Sequence, residues 1–160
     1  MLNKLNKLKL ASIASVALAA SGFALPATAT DNYGYGYYEG CTPGYWKQYH
    51  HEDSWPEVYY EYNYVGYDPY QTVQSVFYAV KDYDLKLIEA LKGRGGGEIA
   101  LLRHAVAGIL NAENKFVKYK YTPKQVKEMV NKALKSYNKK YIEKTKDALE
   151  DANEQGCPLS

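Results

Sequence analysis

The chain has 160 residues, 46% of them hydrophobic and 14% aromatic, with 20 Lys+Arg against 18 Asp+Glu. That length leaves room for one ordinary core and excludes two. The near-neutral total points to no class of partner by itself, so the distribution of charge along the chain matters more.

The chain opens like an export signal. Lys4, Lys7 and Lys9 form a basic start, Leu10 to Leu25 is apolar apart from Ser12, Ser15 and Ser21, and Ala27-Thr28-Ala29 is a cleavage site of the A-x-A kind. Residues 1–29 are read as a signal peptide, with the mature chain starting at Thr30. A membrane anchor is the competing reading, but the apolar stretch falls short of a span and runs into Pro26. No later segment reads as a span, anchor, sorting tail or lipidation signal. The expected location is therefore secreted, either periplasmic or extracellular.

Removing the three lysines of the signal from the 20 Lys+Arg leaves 17 against 18 acids, a balance of −1. Residues 30–90 carry 10 acids and 3 bases, residues 115–146 carry 11 lysines and 2 acids, and residues 147–160 carry 4 acids and no base. The mature chain is dipolar. Export argues against nucleic acid as a partner, and the lysines read first as the solvated faces of helices.

Residues 30–40 form a Gly/Tyr-rich lead-in with no periodicity, read as flexible. Residues 41–160 are read as a single domain. Twelve of the 18 tyrosines fall between Tyr33 and Tyr70, with Trp46 and Trp55 among them. Tyr59 to Val65 fits either a strand with no evident partner or an ordered loop. Asp68-Pro69 then looks like a capped helix start, followed by Val73, Val76, Phe77 and Val80 at helical spacing. Asp84 caps a short helix carrying Leu85, Ile88 and Leu91, ended by Gly93. After the glycine loop 93–97, Glu98 to Asn114 is the most apolar helix, with Ile99, Leu102, Val106 and Ile109 on one stripe and Leu101, Ala105 and Leu110 widening it.

Thr122-Pro123-Lys124-Gln125 reads as a capping box with proline at the first helical position. Val126, Met129, Val130, Ala133, Leu134 and Tyr137 continue that helix. A break near 136–138 leads to a last helix ended by Gly156. The result is an all-α fold, a small bundle of about five helices. Cys41 and Cys157 are the only cysteines and bracket the domain. In an exported chain they read as one disulfide that ties the irregular aromatic N-terminal segment to the C-terminus.

Several motifs fall in a familiar order: Cys41-Thr42-Pro43-Gly44-Tyr45-Trp46-Lys47-Gln48, His51-x-Asp53-Ser54-Trp55, Val76-Phe77, the glycines 95–97, Arg103-x-Ala105-Val106-Ala107-x-x-Leu110-Asn111-Ala112, and Gly156-Cys157-Pro158-Leu159. Over residues 40–159 the chain resembles a family of secreted bacterial domains with a CTPG(Y/F)WK opening and a GCPL-type ending. The resemblance implies architecture and localisation and supplies no chemistry. Members often continue into cell-surface anchoring signals, which this chain does not. Its tyrosine load at 33–38 and 59–70 also departs from the pattern.

Candidate chemistry is sparse. His50, His51 and Asp53 offer nitrogen and oxygen ligands for a zinc or copper ion, and His104 could fold toward them. Their spacing matches no metal motif, so a solvated turn is the simpler reading, and no cofactor is expected. A metal-dependent or acid–base enzyme would centre on His50, His51, Asp53 and His104, with His104 set against Glu98 or Asp53 in the acid–base case. No GxSxG, HExxH or SxxK motif occurs. The loop 93–97 with Arg94 could make an anion nest, although Glu98 opposes it.

The aromatic set carries the preferred expectation. The chain reads as a secreted, non-enzymatic binding or structural domain at the cell envelope or in extracellular matrix. Tyr59, Tyr60, Tyr62, Tyr64 and Tyr67 would form its contact surface. If extended, positions 60, 62 and 64 would share one face. The expected partners are a glycan, a surface polymer or a protein. Self-association through the lead-in is the further option, tested by deleting residues 30–39.

Overall fold

The computed structural model describes residues 37–60 and 63–160. The signal-peptide reading and most of the lead-in fall outside the described residues. The remainder belongs to one compact unit, Tyr35–Ser160. Its elements are α1 (Pro43–Trp46), a 3-10 helix (Tyr49–Ser54), β1 (Glu57–Tyr60), β2 (Asn63–Gly66), α2 (Val73–Val76), α3 (Leu87–Lys92), α4 (Glu98–Glu113), α5 (Pro123–Ser136) and α6 (Lys139–Asn153).

The bundle is helical, with α4 at its centre, packed against α1, α3, α5 and α6. Its wide apolar face explains that position: Leu101, Ala105, Val106, Ala107, Ile109 and Leu110 are all fully buried. Ile99 is the exception. It is half-exposed at the first turn, although its spacing placed it on the core stripe. Helix α5 starts where its sequence says it should: Gln125 N–H donates to Thr122 Oγ1 at 3.3 Å, and Thr122 N–H donates to Gln125 Oε1 at 2.8 Å. Its end departs from expectation. Tyr137 is not a member of the stripe but lies 70% exposed, with φ 51°. It is the one non-glycine residue at positive φ among the described residues. This conformation costs a bulky side chain roughly 1–2 kcal/mol.

One segment folds differently from its periodicity, and the next helix is capped differently. The stripe Val73, Val76, Phe77 and Val80 is buried, yet only Val73–Val76 is helical. Thr72 precedes that turn, and Asp68 instead accepts from Tyr70 N–H in a local turn. The backbone bonds that would extend the helix go across the loop. Val73 N–H donates to the Leu85 carbonyl at 2.8 Å and Leu87 N–H to the Gln71 carbonyl at 3.0 Å. Residues 72–86 thus form a loop closed at its base. Asp84 does not cap α3. Asp82 accepts from the N–H groups of 84 and 85, and Glu89 reaches back to Lys86 N–H at 2.9 Å.

The aromatic segment contains a strand pair. β1 and β2 run antiparallel, with Cα partners Glu57↔Gly66, Val58↔Val65, Tyr59↔Tyr64 and Tyr60↔Asn63. The partner missing from the sequence reading is the chain two residues further on.

Cys41 and Cys157 form a disulfide across a sequence separation of 116, with Cα atoms 4.3 Å apart. Beside it, Gly40 N–H donates to the Gly156 carbonyl at 2.9 Å. A Cβ at Gly40 would run into the Ala152 carbonyl oxygen, so glycine is required there. Glu39 is held too: its N–H donates to the Lys118 carbonyl at 3.0 Å and its carboxylate accepts from Lys118 N–H at 2.8 Å. Glu39, inside what the sequence suggested was lead-in, is thus tied into the domain.

A buried polar network backs the disulfide. Asn111 on α4 is fully buried and uses its whole amide. Its Oδ1 accepts from Cys41 N–H at 2.9 Å and Trp46 Nε1–H at 3.1 Å. Its Nδ2 donates to the Cys41 carbonyl at 2.8 Å and Asn153 Oδ1 at 2.9 Å. Asn153, also fully buried, accepts from the Tyr119 hydroxyl at 2.8 Å and donates to the His104 carbonyl at 3.0 Å. One side chain thus joins the disulfide segment, α1, α4 and α6. Such a network is stabilising only because every member is paired.

Candidate contact surface

Of the tyrosines nominated by the sequence, the structure places Tyr67 in full and others by strand register. Tyr62 lies outside the described residues, and Tyr59, Tyr60 and Tyr64 are placed by backbone register alone. That register puts positions 59 and 64 on one face of the ribbon and position 60 on the other, because directly opposed residues share a face. Positions 60 and 64 therefore do not share a face. Tyr67 is half-buried against the core, and its hydroxyl donates to Glu113 Oε1 at 3.2 Å. It serves the hairpin-to-α4 junction rather than a free surface.

The histidines are separated by role. His50 and His51 sit on the 3-10 helix, with Asp53 exposed beside them. His51 stacks on the Tyr45 ring at 3.8 Å between centroids and lies 4.2 Å from the His50 ring. Desolvation, and secondarily the neighbouring His50, keep the His51 imidazole less basic than usual. Trp55 ends this segment in the core, donating its indole N–H to the Trp46 carbonyl at 3.3 Å. His104 is buried on α4, with Nε2 3.5 Å from Glu150 on α6 and Nδ1 without a partner among the described residues. Burial lowers its pKa, opposed by Glu150. Lys146 is hydrogen-bonded to Glu150 and holds that carboxyl below its usual range. Among the described residues, no group of three His, Cys, Asp or Glu side chains is placed to hold a metal ion.

The glycine loop turns two of its carbonyl groups toward a side chain. Arg103 Nη1 donates to the Gly93 carbonyl at 2.8 Å and lies 3.5 Å from the Gly95 carbonyl, so carbonyl oxygens converge on a cation. That polarity is the reverse of an anion nest.

The exposed aromatic residues are mostly others. Tyr37, Tyr49, Tyr70, Tyr78, Tyr83, Phe116 and Tyr137 are each at least 65% exposed. Two of them form a built arrangement with lysines. The 77–81 segment is anchored by buried Phe77 and Val80 and crosses the end of α5. Three contacts fix it there: Ala79 N–H donates to buried Asn131 Oδ1 at 2.9 Å, Lys135 Nζ donates to the Tyr78 hydroxyl at 3.0 Å, and Lys81 Nζ stands 4.6 Å from the Tyr137 ring centroid. Lys135 Nζ is also 4.3 Å from the Tyr78 ring centroid. Each ammonium is attracted to the ring's negative face.

This pairing of loop and helix end lay beyond sequence reasoning, because the partners are 57 residues apart for Tyr78 and Lys135. The one available signal was the bulky Tyr137 where a helix stop favours glycine or asparagine. No family model, curated protein or solved structure matches this chain. Among the described residues, no helix is long and apolar enough to cross a membrane.

Proposed function

We propose that this chain is an exported, non-enzymatic binding domain that contacts envelope or matrix polymers through surface tyrosines. The observation that carries the reading is the division of labour among its aromatic residues. Trp46, Trp55 and Phe77 fill the core, while six tyrosines stand at least 65% exposed on a disulfide-closed scaffold. Tyrosine rings give contact area at low entropic cost and suit sugar faces or other polymer surfaces. The disulfide fits an oxidising compartment and the N-terminal sequence fits export. The resemblance to secreted bacterial CTPG(Y/F)WK domains belongs to the same proposal.

The test is co-sedimentation of the disulfide-closed protein with insoluble cell-envelope material. The wild type is expected to be retained, and a variant with Tyr49, Tyr70, Tyr78, Tyr83 and Tyr137 changed to serine is expected to stay in solution. Equal retention of both would sink the tyrosine reading.

The acid–base alternative rests on His50, His51, Asp53 and His104, and one observation favours part of it: the buried imidazole of His104 faces the Glu150 carboxylate. On that reading Glu150 orients the ring, and His104→Gln abolishes whatever hydrolysis a broad ester and glycoside screen detects.

A further inference from the structure

We propose that the knuckle between α5 and α6, with Tyr78 and Lys81 from the preceding loop and Lys135 and Tyr137 from the helix end, is a binding site for an acidic polysaccharide, one bearing uronic acid carboxylates. The proposal rests on the binding-domain reading above and names the ligand class and the residues.

Three observations converge on it. First, the rings are exposed but held. Tyr78 is 65% and Tyr137 70% exposed, yet each is fixed by a lysine across the loop–helix contact. Preorganised rings lose little freedom on meeting a ligand.

Second, the charge there is uncompensated. Among the described residues, Lys124, Lys127 and Lys146 pair with carboxylates, whereas Lys81, Lys135, Lys139 and Lys140 do not. Lys139 and Lys140 open α6 directly after the knuckle, and both are exposed. No acid occurs between Met129 and Ile142.

Third, the backbone at Tyr137 is in a conformation that a bulky residue adopts only against its preference. Glycine or asparagine would end the helix without that cost, so the ring itself is the reason for the residue.

The chemistry selects the ligand. A hexuronate offers an apolar C–H face to a tyrosine ring and a carboxylate to the ammonium beside it. Lys81 and Lys135 each stand at a ring, which matches that pairing of face and charge.

The experiment is titration of the disulfide-closed protein with oligogalacturonate. Its methyl ester, oligoglutamate and a single-stranded DNA oligonucleotide serve as comparison probes, alongside retention on insoluble envelope material. Expected is binding to oligogalacturonate that weakens with salt and falls about tenfold or more in Tyr78→Ala, in Tyr137→Gly and on methyl esterification. Both variants should keep their stability within about 1 kcal/mol of the wild type, so lost binding is not lost folding. Equal affinity for oligoglutamate or DNA overturns the proposal, since the rings would then contribute nothing specific. No oligogalacturonate binding, with retention on envelope material intact, overturns this site and leaves the wider reading standing. Absence of both overturns the two together.

Discussion

Replacing Asn111 should be among the most damaging single changes in this domain. Its side chain satisfies four polar groups in a fully buried place: the Cys41 N–H and carbonyl, the Trp46 indole N–H, and Asn153 Oδ1. Asn153 Oδ1 keeps a second partner, the Tyr119 hydroxyl, so Asn111→Ala strands three groups rather than four. Each stranded group costs about 1–3 kcal/mol, less where water can enter the new cavity. The sum is on the order of 3–5 kcal/mol, a large part of the roughly 5–15 kcal/mol that such a domain has. Thermal melting followed by far-UV circular dichroism should fall by roughly 10–20 °C. Asn111→Asp separates hydrogen bonding from packing. It keeps the shape but replaces two N–H donors with an acceptor facing the Cys41 carbonyl and Asn153 Oδ1. It should be at least as damaging as alanine at neutral pH. An aspartate variant melting within about 3 °C of the wild type would refute the reasoning.

Reducing the disulfide, or changing both cysteines to serine, releases a loop of 116 residues and should cost about 3–5 kcal/mol, read as a lower urea midpoint; an unchanged midpoint would show that the network alone closes the domain. His104 supplies a pH dependence. Burial lowers its folded-state pKa below the unfolded value of about 6.5, so the unfolded chain binds the proton more readily. Stability is therefore whole above that value and declines as pH falls below it. Arg103 and Lys146 act in the same direction and Glu150 against it. Urea midpoints at pH about 7.5 and about 5.5 should differ in the wild type and converge in His104→Leu, and parallel behaviour would contradict the assignment. Tyr137→Gly relieves strain but adds unfolded-state freedom and loses a ring–lysine contact, so its stability should stay within about 1 kcal/mol of the wild type. A loss of more than about 2 kcal/mol, well beyond that sum, would mean the ring is structural.

The parts of this fold that were legible in the sequence are those where local chemistry and tertiary packing agree. Thr122, Pro123 and Gln125 specify the start of α5 by themselves, and the apolar run of α4 admits no position but the centre. The 68–86 region misled because its apolar spacing reports burial, not hydrogen bonding. Val73, Val76, Phe77 and Val80 are indeed buried, but from a closed loop whose backbone bonds join residues far apart in sequence. The hairpin was half legible. Tyrosine and valine favour strands, but the partner strand lies within the same aromatic run, and no Asn-Gly or Asp-Gly pair marked the turn. The Asn111–Asn153 network left a faint trace. His104 and Asn111, seven residues apart, put two polar groups on the buried face of α4. What each would meet depended on α1 and α6 arriving there. The knuckle of Tyr78, Lys81, Lys135 and Tyr137 was illegible for the same reason, since only the folded loop brings 78 to 135.

The junction of Gly40 with Gly156 has a mechanical consequence. The chain enters and leaves the domain side by side, with a covalent bond between Cys41 and Cys157 at that pole. Tension applied to the flanking segments would pass from one cysteine to the other through sulfur. The helices hang outside the line of force, as a loop hangs from a closed clasp. Stretching the flanks of the oxidised protein in an optical trap should give no length gain from residues 42–156, and reduction should release them in one step.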